Sequence, residues 1–303
     1  MTIALTGATG FVGQAVLDVA QERGETIRAL TRRMQPERSG VEWIEGTLAD
    51  KDALASLCEG ADAIMHVAGL TNAPDPAAFQ LANVEGTQCL IEAAKAARVK
   101  RFVFVSSLSA REPGLSMYGA SKAQAETLVE ASGLDWTIIR PPGVYGPRDI
   151  DYFEMFRTAK WGFVPLPPRG ASSIIHVHDL ARLLLDMVDA PPALVRRNIF
   201  EPDDGREGGW GHKELAKAIG KAVGRPVFAP HLPGRVLEFA AMGDRLVRGD
   251  KARLTADRVG YMTHPNWVSR SAKKVPAAVW EPHIAGEEGL RQTAEWYRRE
   301  GWL

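Results

Sequence analysis

Through residue 141 the chain alternates short runs rich in Val, Ile and Phe with helix-length segments. The strand-like runs are IALT (3–6), TIRALT (26–31), VEWI (41–44), DAIMHVA (62–68), RFVFVSS (101–107) and DWTIIRP (135–141), and the helical segments include 11–23, 76–97 and 116–132. Parallel neighbours need a crossover of a dozen or more residues, and a helix supplies it, so this alternation predicts an α/β fold with a doubly wound parallel sheet. After RPPGVYGPRD (140–149) the pattern changes: Pro and Gly cluster at 165–170 and 202–209, and helical stretches follow at 177–189, 211–223, 233–248 and 287–300. The expected organisation is a nucleotide-binding domain over 1–148 and 172–200, with a smaller, mostly helical substrate lobe over 149–171 and 201–303.

Composition removes several classes of function. Across 303 residues, 37 basic side chains balance 37 acidic ones, so no global attraction to nucleic acid is expected. Cys58 and Cys89 have neither disulfide-framework nor metal-ligand spacing and fit a reducing compartment. The chain opens MTIALTGATG, already a strand and turn, and has no apolar run long enough to span a bilayer. The expected setting is the cytoplasm, as monomer or homodimer, with peripheral membrane contact left open.

The first strand runs into TGATGFVG, with Gly7, Gly10 and Gly13 around Thr9, Phe11 and Val12 and a helix beyond. Glycines here allow a tight turn and let backbone N–H groups approach a pyrophosphate at a helix N-terminus, where the dipole favours an anion. The strand–turn–helix context identifies a Rossmann-type dinucleotide site. An NAD site usually ends its second strand on an acidic residue. Here that position is Thr31, followed by Arg32 and Arg33. Guanidinium groups suit a 2′-phosphate, so NADP(H) is expected ahead of NAD(H).

A second signal is SMYGASKAQAE (116–126), which sets Tyr118 and Lys122 one turn apart on a helix that Ser116 caps and Gly133 ends. Taken together, TGATGFVG, HVAG (66–69), NVEGT (83–87), FVSS (104–107), YGASK (118–122), RPPGVYGP (140–147) and HVHDLA (176–181) resemble the extended short-chain dehydrogenase/reductases, the epimerase/dehydratase superfamily. The resemblance covers essentially the whole chain. It implies that Ser107, Tyr118 and Lys122 are catalytic. It also implies that Ala68, Asn83, Pro141 and Val144 border the cofactor, along with Tyr118, Lys122 and the glycine turn. A tyrosine's reference pKa of about 10 is high for acid–base work, and a neighbouring ammonium lowers it by favouring phenolate.

Two departures and one further likeness narrow the reaction. The acidic pair that follows the active-site hydroxyl in family dehydratases is Leu108 and Ser109 here, and Thr47 in GTLAD stands where epimerases place an aspartate. Residues 232–255 resemble the hydroxysteroid dehydrogenase and dihydroflavonol reductase branch. The expectation is NADP(H)-dependent reduction of a ketone on a bulky hydrophobic small molecule, a keto-ceramide, keto-sphingoid or steroid-like compound. A nucleotide-sugar epimerase and a non-catalytic NADP-binding sensor or subunit are the alternatives. Within 233–248, Val236, Phe239, Ala240, Gly243 and Val247 share one helical face, readable as a cover for the lobe's core or as an apolar entrance resting on a membrane. Phe153, Phe156, Trp161 and Phe163 add aromatic surface or core. His176 and His178 have no further ligand cluster nearby in sequence, so no metal is expected.

Overall fold

The computed structural model describes every residue except Pro74, Asp250, Lys251 and Arg253; the last three fall within the 232–255 segment. By packing, the chain divides into two units. One comprises Met1–Arg140, Leu180–Phe200 and Val275–Trp280, and the other Pro141–Asp179, Glu201–Lys274 and Glu281–Leu303.

The elements up to residue 140 are β1 (Thr2–Thr6), α1 (Phe11–Arg23), β2 (Thr26–Thr31), β3 (Val41–Glu45), α2 (Lys51–Cys58), β4 (Ala63–His66), α3 (Pro76–Phe79), α4 (Gly86–Ala96), β5 (Arg101–Val105), α5 (Met117–Ala131) and β6 (Asp135–Ile139). They start and stop for local reasons. Gly24, at φ 69°, ends α1 in the left-handed conformation. The Asp50 side chain accepts from the N–H groups of Asp52 and Ala53 to open α2, and the Ser116 hydroxyl accepts from Gly119 N–H at 2.9 Å to open α5.

Further along lie β7 (Gly143–Tyr145), α6 (Asp151–Ala159), β8 (Ala171–Ser172), β9 (Ile174–His176), α7 (Val177–Asp189), α8 (Pro192–Val195), β10 (Asn198–Phe200), β11 (Trp210–Gly211), α9 (His212–Val223), α10 (Gly234–Arg248), α11 (Ala256–Met262), β12 (Asn266–Trp267) and α12 (Gly286–Arg299).

Seven strands form the sheet of the first unit in the order β10-β6-β5-β4-β1-β2-β3, with every pair parallel. This is the doubly wound α/β arrangement. Its strands are buried on both faces, which is why Ile3, Ala4, Leu5 and Thr6 are all inaccessible. Strand order reverses between β1 and β4, and the carboxyl ends of strands at such a switch point form the crevice where ligands bind in open α/β sheets. The second unit is mainly helical, with a three-stranded sheet (β11-β8-β12) and a parallel pair (β7-β9). Its core gathers Tyr145, Phe156, Trp210, Ile219, Leu290 and Tyr297.

Two elements depart from the sequence expectation. The helix expected at 76–97 is broken: a π-helical turn, Gln80–Glu85, separates α3 from α4. In α10 the buried residues are Leu237 and Ala241, packed with Leu232, Leu254 and Val259. The face expected to act together, Val236, Phe239, Ala240, Gly243 and Val247, is exposed. Met242 and Leu246 join it, so α10 carries a broad apolar arc outside its small contact with the core. Of the four aromatics near α6, Phe156 is buried and Phe153 packs against Tyr297 and Trp302, whereas Trp161 and Phe163 are exposed. Among the described residues no helix is long and apolar enough to cross a membrane.

Candidate active site

β1 delivers the chain to a turn that only glycine fits. Gly7 sits at φ +78°, and a Cβ there would lie 2.6 Å from the Ala68 nitrogen; a Cβ on Gly13 would lie 2.1 Å from the Gly7 carbonyl oxygen. Backbone packs on backbone, closing the β1–α1 turn against the loop after β4. Gly10 N–H returns to the Gly7 carbonyl at 3.0 Å, while Thr9 and Gly10 stay exposed. The N–H groups of Phe11, Val12 and Gly13 open α1 and have no acceptor one turn back. The residues therefore fit a dinucleotide: the turn is a cradle that a side chain would fill, and it presents donors and a helix dipole to an anion.

At the end of β2, Thr31 is buried and its hydroxyl bonds the Arg33 carbonyl at 2.8 Å. The turn so formed leaves the Arg32 and Arg33 side chains exposed. Pro141 and Val144 belong to the second unit, Pro141 buried and Val144 half-buried on β7, in register with Ile175 of β9.

The π-helical turn presents Asn83, which is almost inaccessible. Its Oδ1 accepts from Leu70 N–H at 2.7 Å, and its Nδ2 donates to the Leu70 carbonyl at 3.0 Å and to Ser121 Oγ at 2.9 Å. Ser121 Oγ in turn donates to the Tyr118 carbonyl at 2.8 Å. The amide thus ties the loop after β4 to the first turn of α5. Tyr118 is half-buried, its ring centroid 6.3 Å from that of Phe79. Ser107 follows β5, and its Oγ accepts from Ser109 N–H at 3.1 Å. A Cβ on Gly119 would sit 2.7 Å from the Ser109 carbonyl oxygen. Glycine at 119 is therefore what seats the Tyr118 turn on the Ser107 turn.

Lys122 is buried. Its Nζ donates to the Val105 carbonyl at 2.7 Å and stands 4.6 Å from the Phe104 ring centroid. A Cβ on Gly69 would be 3.3 Å from both Lys122 Nζ and Asn83 Oδ1, so the three border one space. Burial lowers the Lys122 pKa to about 8, while Glu126 opposes the fall. Glu126 lies one turn beyond, accepting from Ser106 Oγ and from Arg140 Nε at 2.9 Å. Sequence reasoning missed Glu126 and Arg140. Glu126 had a signal, its place four residues after Lys122 on the same helical face; Arg140 opens the RPPGVYGP motif, but nothing in the sequence pairs it with Glu126.

His66, Thr6 and Thr87 were also missed as site residues. They form a buried chain with Thr6 Oγ1 2.6 Å from His66 Nδ1 and His66 Nε2 2.9 Å from Thr87 Oγ1. In the second unit, His176 is buried edge-on to Tyr145, with its ring centroid 6.0 Å from that of His178. Among the described residues no group of three or more His, Cys, Asp or Glu is placed to hold a metal ion.

A family model described as NAD(P)H-binding matches residues 7–191. Ceramide reductase from Caulobacter vibrioides is 33% identical over 312 aligned residues, covering 99% of this chain and 96% of that protein. The chain belongs to the extended short-chain dehydrogenase/reductases. UDP-glucose 4-epimerase from Vibrio cholerae, of the same superfamily, is 24% identical, covering 97% of this chain and 94% of that protein. The crystal structure of gox2253 superposes with a TM-score of 0.78 at 25% identity, covering 100% of this chain and 99% of that one. This member of the superfamily is an oxidoreductase acting on the CH–OH/C=O pair, and it binds NAD(P)H.

Proposed function

We propose that the protein uses NADPH to reduce a ketone on a bulky apolar substrate, a keto-ceramide or related long-chain keto-lipid, to the secondary alcohol. The observation that carries this reading is the 33% identity to a ceramide reductase over 99% of this chain and 96% of that one. Leu108 and Ser109 in place of an acidic pair argue against dehydration. Arg32 and Arg33, exposed beyond a buried Thr31, favour a 2′-phosphate.

Bound NADPH supplies the hydride. Ser107 donates a hydrogen bond to the substrate oxygen, and Tyr118 delivers the proton that the resulting alkoxide needs. Lys122 donates one N–H to the Val105 carbonyl, and its other two would hold the ribose hydroxyls of the cofactor. Its charge, held close to Tyr118 by the helix, favours the phenolate left after proton transfer. Positioned proton transfer of this kind contributes about 10²–10⁴ in rate. The exposed apolar arc of α10, with Arg235 and Arg245 on the same helix, serves as the contact with an anionic lipid surface that presents the substrate.

Nucleotide-sugar epimerisation is the second reading, favoured by the likeness to UDP-glucose 4-epimerase. One experiment separates the two. NADPH oxidation is followed over a series of ketones of rising chain length, with product analysis, beside UDP-glucose. Burial of apolar surface at about 25 cal/mol per Å² makes kcat/KM climb with chain length, and Arg32→Ala with Arg33→Ala selectively weakens NADPH. Efficient UDP-glucose conversion with no chain-length dependence would replace the first reading with the second.

A further inference from the structure

We infer that His66 is a positioning residue: a neutral imidazole, protonated on Nε2 alone, whose two threonine partners fix Ala68 and Asn83 beside the cofactor. The inference rests on the reading that Ala68 and Asn83 border NAD(P)H. The proton order follows from acceptors that cannot donate. Thr87 Oγ1 lies 2.6 Å from the Asn83 carbonyl, which can only accept, so the single hydroxyl proton of Thr87 points there. Thr87 Oγ1 is left to accept from His66 Nε2 at 2.9 Å, and Nε2 must therefore carry a proton.

Burial and the nearby Lys122 ammonium hold the imidazole neutral, with a pKa lowered to about 3. Nδ1 is then bare, and Thr6 Oγ1 donates to it at 2.6 Å. Thr6 Oγ1 accepts in turn from Ala68 N–H at 3.3 Å. Donation thus runs one way, from Ala68 N–H through Thr6, His66 and Thr87 to the Asn83 carbonyl. It joins the end of β1, the end of β4 and the π-helical turn.

His66 is fully buried, edge-on to Phe102 and tilted against Phe104, so water cannot substitute for either hydroxyl partner. The opposite tautomer would set two lone pairs face to face at Nε2 and Thr87 Oγ1, the costly arrangement for buried polar atoms. A reversed network would release the Thr87 proton from the Asn83 carbonyl and loosen the turn that aims the Asn83 amide at Leu70 and Ser121.

The test has two arms on the full chain. In ¹⁵N-histidine NMR, the His66 signals are identified by their loss in His66→Gln. The expected pattern is a protonated Nε2 and a bare Nδ1, unchanged between about pH 5.5 and 9. A proton on Nδ1, or titration within that range, overturns the inference. In the second arm, NADPH binding is titrated by fluorescence. Thr87→Val removes both the donor to Asn83 and the acceptor for His66, and should weaken NADPH about tenfold, with Thr87→Ser restoring affinity. Equal affinity in Thr87→Val and the parent overturns the positioning role. A parent chain binding neither NADPH nor NADH would overturn the cofactor reading and the positioning role with it, leaving the proton order to the NMR result.

Discussion

Glu126 is the sharpest place to perturb the site, because one carboxylate there serves a half-buried arginine, a buried serine and the electrostatics of Lys122. The Glu126 side chain is 5% exposed and Arg140 13%, so solvent can do little for either charge once the other is gone. Removing one member of such a pair costs about 3–5 kcal/mol, and the residual exposure of Arg140 points to the lower end. Ser106 Oγ loses its acceptor as well, adding about 1 kcal/mol. Glu126→Ala should therefore destabilise the protein by about 3–4 kcal/mol, moving the urea midpoint down by roughly 1–2 M at ordinary slopes. Glu126→Leu combined with Arg140→Met should recover much of that loss, since a packed apolar pair replaces a buried ionic one at little cost. The Lys122 pKa, already lowered to about 8, should fall further in Glu126→Gln, because the charge that opposed the fall is gone. In the proposed mechanism, the alkaline limb of activity then moves to lower pH. For stability the sign is opposite to that of a paired lysine. Below about pH 8 the buried ammonium is a standing cost, relieved as pH rises toward the unfolded value of 10.5. A Glu126→Ala loss under about 1 kcal/mol, or a double variant no more stable than the single, would refute the assignment of this energy to a buried charge.

Tyr118→Phe keeps the ring beside Phe79 and removes the transferable proton; turnover should drop about 10²–10⁴-fold with NADPH affinity unchanged, and a variant that kept most of its turnover would remove Tyr118 from the proposed chemistry. On α10, Phe239 is 73% and Leu246 88% exposed, and the chain should co-sediment with phosphatidylglycerol vesicles in a salt-sensitive way that Phe239→Glu with Leu246→Glu abolishes. Equal sedimentation of parent and variant would rule α10 out as the contact.

The sequence was legible wherever the determining contacts are local. Apolar periodicity placed α1 at 11–23 and α7 at 177–189, where the structure has Phe11–Arg23 and Val177–Asp189. It could not choose the inward arc of α10, because Leu237 and Ala241 occupy one side and Val236, Phe239 and Leu246 others. That choice is made by Leu232, Leu254 and Val259, which periodicity within the helix cannot weigh. The π-helical turn was also hidden: 76–97 reads as continuous helix, and the widened turn is held by the Asn83 amide reaching Leu70 and Ser121. The hydroxyl partners of His66 lie 60 and 21 residues away. Such pairings exist only once parallel strands have set their register.

β10 completes the sheet by pairing Asn198, Ile199 and Phe200 with Thr137, Ile138 and Ile139 of β6. In a chain emerging from the ribosome, β6 is made long before its outer neighbour. At about 5–20 residues per second the intervening stretch of about 60 residues takes roughly 3–12 seconds to appear. For that interval the flank of β6 is an unprotected strand edge of apolar residues, open to the same strand of another nascent chain. Slow translation between residues 140 and 198 would lengthen that window, so synonymous codon choice there bears on the yield of folded protein even though it alters no residue.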